Sequence, residues 1–151
     1  ALLAATAAAV FIGGALAAAP SKDQALQIMH DRHEAMEQLG KAMKELHRDL
    51  DTSPADVNAI RAQTAILAST AAKIPSLFPA GTGPDVGKTR AKPEIWKQQA
   101  LFLQKSKDFA VVAQAIDAAA KAGDVNKVMA LQERVNAACK ACHDPFRAPE
   151  H

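Results

Sequence analysis

The chain is short of aromatic residues and of cysteines, and each shortage narrows what it can be. It has no Tyr, one Trp and five Phe, while alanine supplies much of its apolar content. A helical core built largely from alanine is thin, so this composition favours an interior filled by a large planar group, although long alanine-rich helices can also simply pack close together. Both cysteines lie in one short motif, so none remains for a disulfide or a four-thiolate metal site elsewhere.

An excess of charge of one sign is also missing. The chain has 18 basic and 16 acidic residues, a net charge of +2, and no run of Lys or Arg. Because a nucleic-acid-binding surface is strongly basic, we expect no nucleic acid among the partners. A length of 151 residues supports one domain with a core of its own.

The first twenty residues contain no charged side chain. Ala17 and Ala19 end small-residue triplets that suit a signal-peptidase cleavage site. A retained membrane anchor is the alternative, because the segment nearly reaches the roughly 20 apolar residues that span a bilayer. Residues 1–19 are therefore interpreted as a signal peptide or an N-terminal anchor, and residues 20–151 as the exported domain.

Four helices are predicted, each bounded by a cap, a proline or a glycine. The first runs from a Ser21 capping box to about Leu50, the second from Ser53 and Pro54 to about Lys73, the third from Pro93 to Gly123, and the fourth from Asp124. Apolar residues recur along all four at steps of three, four or seven. Such seams predict an all-α, antiparallel, up-down-up-down four-helix bundle.

The fourth predicted helix carries the sequence Cys139-Lys140-Ala141-Cys142-His143. C-x-x-C-H is the attachment motif of a c-type haem, in which each thiol forms a thioether with a vinyl group. Residues three apart share a helix face, so both cysteines can reach one macrocycle. His143 then follows as the proximal iron ligand. We predict one covalently attached haem c.

Three other interpretations of the motif are weaker. A thioredoxin-like dithiol belongs beside a βαβ unit, and no strand pattern is present. A zinc site needs four ligands at repeated spacing, and there is no second cysteine pair. A chance occurrence in an alanine-rich helix is the third.

Arg32 interrupts the apolar seam of the first predicted helix. A guanidinium at such a position must reach water or find a partner. It can extend its head to solvent at the edge of the bundle, or it can pair with a haem propionate. The haem motif favours the propionate.

Three stretches resemble cytochrome c′ and its low-spin relatives, the class II c-type cytochromes. They read RHEAM from Arg32, KPEIW from Lys92 and CKACHDPFR from Cys139, and the resemblance covers about residues 21–148. It implies a haem-containing bundle that is exported to the periplasm and is commonly dimeric. It also implies that Arg147 is the arginine beside the proximal histidine, on the same helical face, and that Met36 lies over the distal side of the iron.

The role of Met36 separates two functions. In the low-spin relatives a methionine sulfur is the sixth iron ligand, which suits a one-electron carrier. In cytochromes c′ this position crowds the iron without binding it, and NO or CO can bind. A plain packing role for Met36 is the third possibility. We favour Met36 ligation and electron transfer with redox partner proteins, without enzymatic chemistry. A membrane-tethered subunit of a larger respiratory or photosynthetic complex is a further alternative. His30, His33 and His47 are expected on the surface.

Overall fold

The structure, a computed structural model, describes residues 19–149. Its helices are α1 (Lys22–Asp51), α2 (Val57–Ala71), the short α3 (Glu94–Lys97), α4 (Gln99–Lys121) and α5 (Val125–Phe146), with a 3₁₀ turn at Ile74–Leu77. None of the described residues lies in a regular strand. The prediction of an all-α four-helix bundle is confirmed, with α1, α2, α4 and α5 as its members.

The bundle is built around α4, which packs against both α2 and α5, while α1 packs against α2. Nearly all the predicted seam residues face this core. The seam of α4 is fully buried at Phe102, Phe109 and Ile116, and Ile95 continues it on α3. Among the largest completely buried side chains are Leu46, Ile60, Leu67, Val128 and Val135.

Two predicted helix starts are confirmed in atomic detail. The Ser21 hydroxyl accepts from the Gln24 amide at 3.3 Å, and Gln24 Oε1 accepts from the Ser21 amide at 2.9 Å, which completes the capping box. Asp124 caps α5 by accepting from the Lys127 amide at 3.0 Å. Gly123, with a φ of +74°, makes the turn between α4 and α5.

The predicted start of the second helix is wrong. Asp56, rather than Ser53, is the N-cap of α2, and its Oδ1 accepts from the amides of Asn58 and Ala59 at 3.0 and 3.1 Å. A carboxylate accepts more strongly than a hydroxyl and is stabilised by the positive end of the helix. Asp56 therefore sets the start of α2 three residues beyond Ser53.

The third predicted helix is divided in two. Gln98 leaves the helical conformation, with φ −119° and ψ 46°, and separates α3 from α4. Nothing in the local sequence explains this break, since no proline or glycine lies there. Phe102 still follows Ile95 on the buried side, so the apolar spacing continues across the break.

Residues 1–18 lie outside the described part of the chain, so the interpretation of residues 1–19 as a leader or an anchor is not tested. Within residues 19–149, no helix has both the length and the apolar character needed to span a bilayer.

Candidate haem attachment site

Cys139 and Cys142 lie on one face of α5 as free, half-buried thiols. Burial raises the pKa of both thiols, and the neighbouring Cys139 raises that of Cys142 further. The two sulfur atoms are therefore close enough to influence each other. Within residues 19–149, no group of three or more His, Cys, Asp or Glu side chains is placed to hold a metal ion.

His143 follows on the same helix with part of its side chain exposed. Burial by the surrounding protein lowers the pKa of its imidazole. The charges of Arg147 and Arg90 lower it further, while Asp144 opposes them. The ring is therefore held as neutral imidazole, the form that binds a metal.

The end of α5 places Arg147 close to His143. The helix passes through Pro145 and ends at Phe146, and Arg147 is its C-cap, with φ −115° and ψ 127°. The Arg147 amide donates to the His143 carbonyl at 2.9 Å, which is the last i to i−4 hydrogen bond of the helix. Arg147 therefore lies one turn after His143, and the chain leaves the helix only beyond it.

A short loop segment is paired with this helix end. Ala91 and Arg147 form an antiparallel bridge, the Lys92 amide donates to Phe146 at 2.9 Å, and the Ala148 amide donates to Arg90 at 2.8 Å. Arg90 Nε also donates to the Ala148 carbonyl at 2.9 Å. This pairing fixes Arg90 beside the end of the helix that carries His143.

Met36 lies on α1 and is partly buried against the core. Other residues on α1 and on the second half of α5 are also only partly buried against the core. They are Met43, Leu50, Ala138, Cys139 and Cys142. On α4 the large seam residues Phe102, Phe109 and Ile116 are fully covered, and only the small Ala110 and Ala115 are partly buried.

The donor atoms at this site and the apolar side chains around them match what a haem requires. Two thiols on one helix face, an adjacent neutral imidazole and a thioether on a second helix form a donor set typical of haem ligation. The half-covered apolar side chains offer a surface against which a flat macrocycle would be buried. Both the donors and the surface fit a covalently attached haem.

Arg32 is almost fully buried, with 4% of its surface exposed, so the alternative in which it reaches solvent is wrong. Nη1 donates to Leu77 O at 3.3 Å and to Thr82 Oγ1 at 3.1 Å, and Nη2 donates to Thr82 O at 3.0 Å and to Thr89 Oγ1 at 3.2 Å. Burial lowers its pKa to about 10, which leaves it charged at neutral pH. A contact between Arg32 and a propionate stays a prediction.

Aromatic rings link Arg32 to the end of α5. The guanidinium lies over Phe78, 4.7 Å from the ring centre. Phe78 contacts Phe102 at 4.8 Å between ring centres, and Phe102 contacts Phe146 at 5.6 Å, both edge to face. Trp96 fixes Phe78, because its Nε1 donates to the carbonyls of Phe78 and Pro79 at 3.1 and 3.0 Å. Most of the few aromatic residues are thus placed on this side of the bundle.

Sequence reasoning missed Arg90 and Lys105. Lys105, on α4, is near enough to Cys142 that its charge opposes the rise in the thiol pKa. The antiparallel turn at Gly123 is a signal that could have found Lys105, because Lys105 precedes that turn by as many residues as Ala141 follows it. Arg90 depends on the loop pairing, which no local sequence pattern predicts. His30, His33 and His47 are exposed, as expected.

Comparison with known proteins agrees with this geometry. The family model described as Cytochrome C′ matches residues 27–147. Cytochrome c′ of Alcaligenes xylosoxydans xylosoxydans is 40% identical over 96 residues, which cover 63% of this chain and 72% of that protein. Cytochrome c-556 of Rhodopseudomonas palustris is 32% identical over 132 residues, which cover 85% of this chain and 83% of that protein.

Solved structures give the same result. The crystal structure of cytochrome c′ from Thermochromatium tepidum superposes with a TM-score of 0.76 at 29% identity, covering 83% of this chain and 97% of that one. A nitric oxide complex of a leucine-to-alanine mutant of cytochrome c prime from Alcaligenes xylosoxidans has a TM-score of 0.73 at 30% identity, with 85% and 97% covered. The chain belongs to the cytochrome c′ family and, like its relatives, carries one covalently bound haem c.

Proposed function

We propose that this protein is a one-electron carrier in which Met36 is the sixth iron ligand. Cys139 and Cys142 would hold the haem, and His143 would be the proximal ligand. The observation that carries the proposal is that Met36 on α1 and both attachment cysteines on α5 are only partly buried against the same core. A thioether supplied from α1 would close the distal side.

The haem supplies the one-electron couple, and the protein supplies its setting. The neutral His143 imidazole and the soft Met36 sulfur together favour a high reduction potential. Arg147 and Arg90 add positive charge near His143, which favours the reduced state because that state carries one positive charge fewer. These residues hold and tune the centre, and none acts on a bond of a substrate.

A gas-binding protein is the rival function. A related solved structure is a nitric oxide complex of a mutant cytochrome c prime, so NO binding occurs within the family. In that case Met36 would fill space beside the iron without binding it.

The spectrum of a Met36→Ala variant tests the proposal. We expect the reduced wild-type protein to be low-spin and to bind CO poorly, and the variant to become high-spin and to bind CO readily. Met43→Ala is the matched control, because Met43 lies two turns further along the same partly buried seam and should change neither property. A wild-type protein that binds CO as readily as Met36→Ala would remove Met36 from the coordination sphere.

We also infer that residues 20–151 are exported, with residues 1–19 as a cleaved leader or a retained tether. Sequencing the N-terminus of mature protein separates the two, since a start near Ala18 or Pro20 eliminates the tether. One related structure is described as having ligand-controlled dimer dissociation. Analytical ultracentrifugation with and without CO would test whether this chain also forms a homodimer.

A further inference from the structure

Basic side chains from three parts of the chain surround the end of α5 that carries the haem motif. Lys105 comes from α4, Arg90 from the loop before α3, and Lys140 and Arg147 from α5 and the residue that follows it. We call these four residues the attachment rim. In the sequence these four residues are far apart, and the charged residues give no indication of a docking surface.

Lys105 lies level with the two cysteines. The hairpin of α4 and α5 turns at Gly123, so Lys105 is opposite the turn of α5 that contains Ala141. Its charge opposes the rise in the Cys142 pKa, which agrees with that placement. Lys105 is half-buried and forms no ion pair with any residue in the range 19–149.

Arg90 and Arg147 are held on neighbouring backbone segments. The hydrogen bonds between residues 90–92 and 146–148 join the two segments, and the charges of both arginines reach His143. Lys140 lies on the exposed side of α5, where both oxygens of Asp144 accept from its ammonium at 2.9 and 2.8 Å. Asp144 thus offsets the charge of Lys140, whereas Lys105 has no acidic partner among residues 19–149.

The basic residues of the chain are also concentrated in its second half. Residues 86–151 contain eleven Lys and Arg against seven Asp and Glu, whereas residues 1–85 contain seven against nine. The half of the chain that carries the haem motif is therefore basic although the complete chain is nearly neutral. A field with this polarity orients an approaching charged molecule.

We propose that the attachment rim is the docking surface for an acidic redox protein. The rim surrounds the part of α5 that holds Cys139 and Cys142, so a partner bound to it would lie close to the attached haem. Carboxylates on the partner would pair with rim cations, and the attraction would raise the rate of association. The inference rests on the proposed electron-carrier function and names the partner class for it.

Small redox reagents of opposite charge test the local field. Reduced protein would be mixed in a stopped-flow instrument with ferricyanide, a trianion, or with cobalt tris-phenanthroline, a trication. Each reagent accepts one electron, becoming ferrocyanide or the cobalt(II) complex, while the protein loses one electron. The rates would be compared between about 0.01 M and about 1 M ionic strength, where screening changes from weak to nearly complete.

The variants are Lys105→Gln, Arg90→Gln and a matched control, Lys127→Gln. Lys127 is exposed on the same helix as the cysteines, about 22 Å along the axis from Cys142, and its loss changes the net charge equally. At low salt we expect each rim variant to lower the ratio of the ferricyanide rate to the cobalt rate roughly two- to five-fold, because a change of reduction potential affects both reactions and cancels in that ratio. The control should change neither rate by more than a small fraction of that.

A second measurement uses a protein-like polyanion. Adding polyglutamate to the haem-attached protein should shift the backbone amide NMR signals of residues 90–92, 105 and 140–148, and Lys105→Gln should weaken the binding more than Lys127→Gln. Equal effects of Lys105→Gln and Lys127→Gln in both measurements would overturn the docking proposal without affecting Met36. Ready binding of CO by the wild-type protein would instead reject the electron-carrier function, whatever the rim does.

Discussion

Arg32 and Thr89 are joined by a hydrogen bond of 3.2 Å from Nη2 to Oγ1. The Thr89 hydroxyl also accepts from the Ala91 amide at 3.1 Å, and the residues on either side of Ala91 pair with the end of α5. The helix that carries Met36 and the helix that carries His143 are therefore connected through one loop. A buried arginine with this role is a structural element of the site, whether or not it also contacts a propionate.

Replacing Arg32 with methionine should lower the free energy of unfolding by about 2–4 kcal/mol, because it leaves the buried Thr82 groups without their donors. Denaturant unfolding of the haem-attached protein would measure the loss. Arg134→Met, an exposed arginine on α5, should leave stability unchanged. Equal stability of the two variants would show that the Arg32 hydrogen bonds contribute nothing.

Phe102 packs between Phe78 and Phe146, so Phe102→Ala should cost about 3–5 kcal/mol. The neighbouring Leu101 is 41% exposed, and Leu101→Ala should cost no more than about 1 kcal/mol. Thermal or denaturant unfolding would compare the two. A loss at Phe102 as small as that at Leu101 would contradict the connected aromatic side of the bundle.

The cap of α2 provides a test of the corrected helix start. Asp56→Ala should cost about 1 kcal/mol because two amides lose their acceptor. Ser53→Ala should have little effect, since Ser53 is not the cap residue. The reverse order of stabilities would restore Ser53 as the start of the helix.

The two attachment cysteines should act independently in holding the haem. In Cys139→Ser or Cys142→Ser, the remaining thioether should keep the pigment on the protein through acidified acetone, and mass spectrometry should still find the haem mass. In the double variant the pigment should be extracted. Retention of colour by the double variant would show attachment at another residue.

Much of the fold was predictable because it depends on local signals. The capping box at Ser21, the glycine turn at Gly123 and the spacing of Phe102, Phe109 and Ile116 each act within a few residues. The cap at Asp56 was missed because Ser53 followed by Pro54 also has the pattern of a helix start, and only the folded chain shows that the Asn58 and Ala59 amides donate to Asp56. The break at Gln98 has no local signal at all.

The residues of the candidate site also differ in whether local sequence could predict them. Cys139, Cys142 and His143 were predictable from one short motif, since one helix face brings them together. The partners of Arg32 and the position of Arg90 depend on a loop that connects distant parts of the chain. Arg147 was assigned by the resemblance and by helical spacing, and its amide makes the last helical hydrogen bond of α5, to the His143 carbonyl.

The absorption spectrum of the wild-type protein, oxidised and reduced, with and without CO, tests the central claim most directly. Ligation by His143 and Met36 predicts a low-spin reduced spectrum that CO changes little. A high-spin reduced spectrum that shifts promptly when CO is added would contradict it.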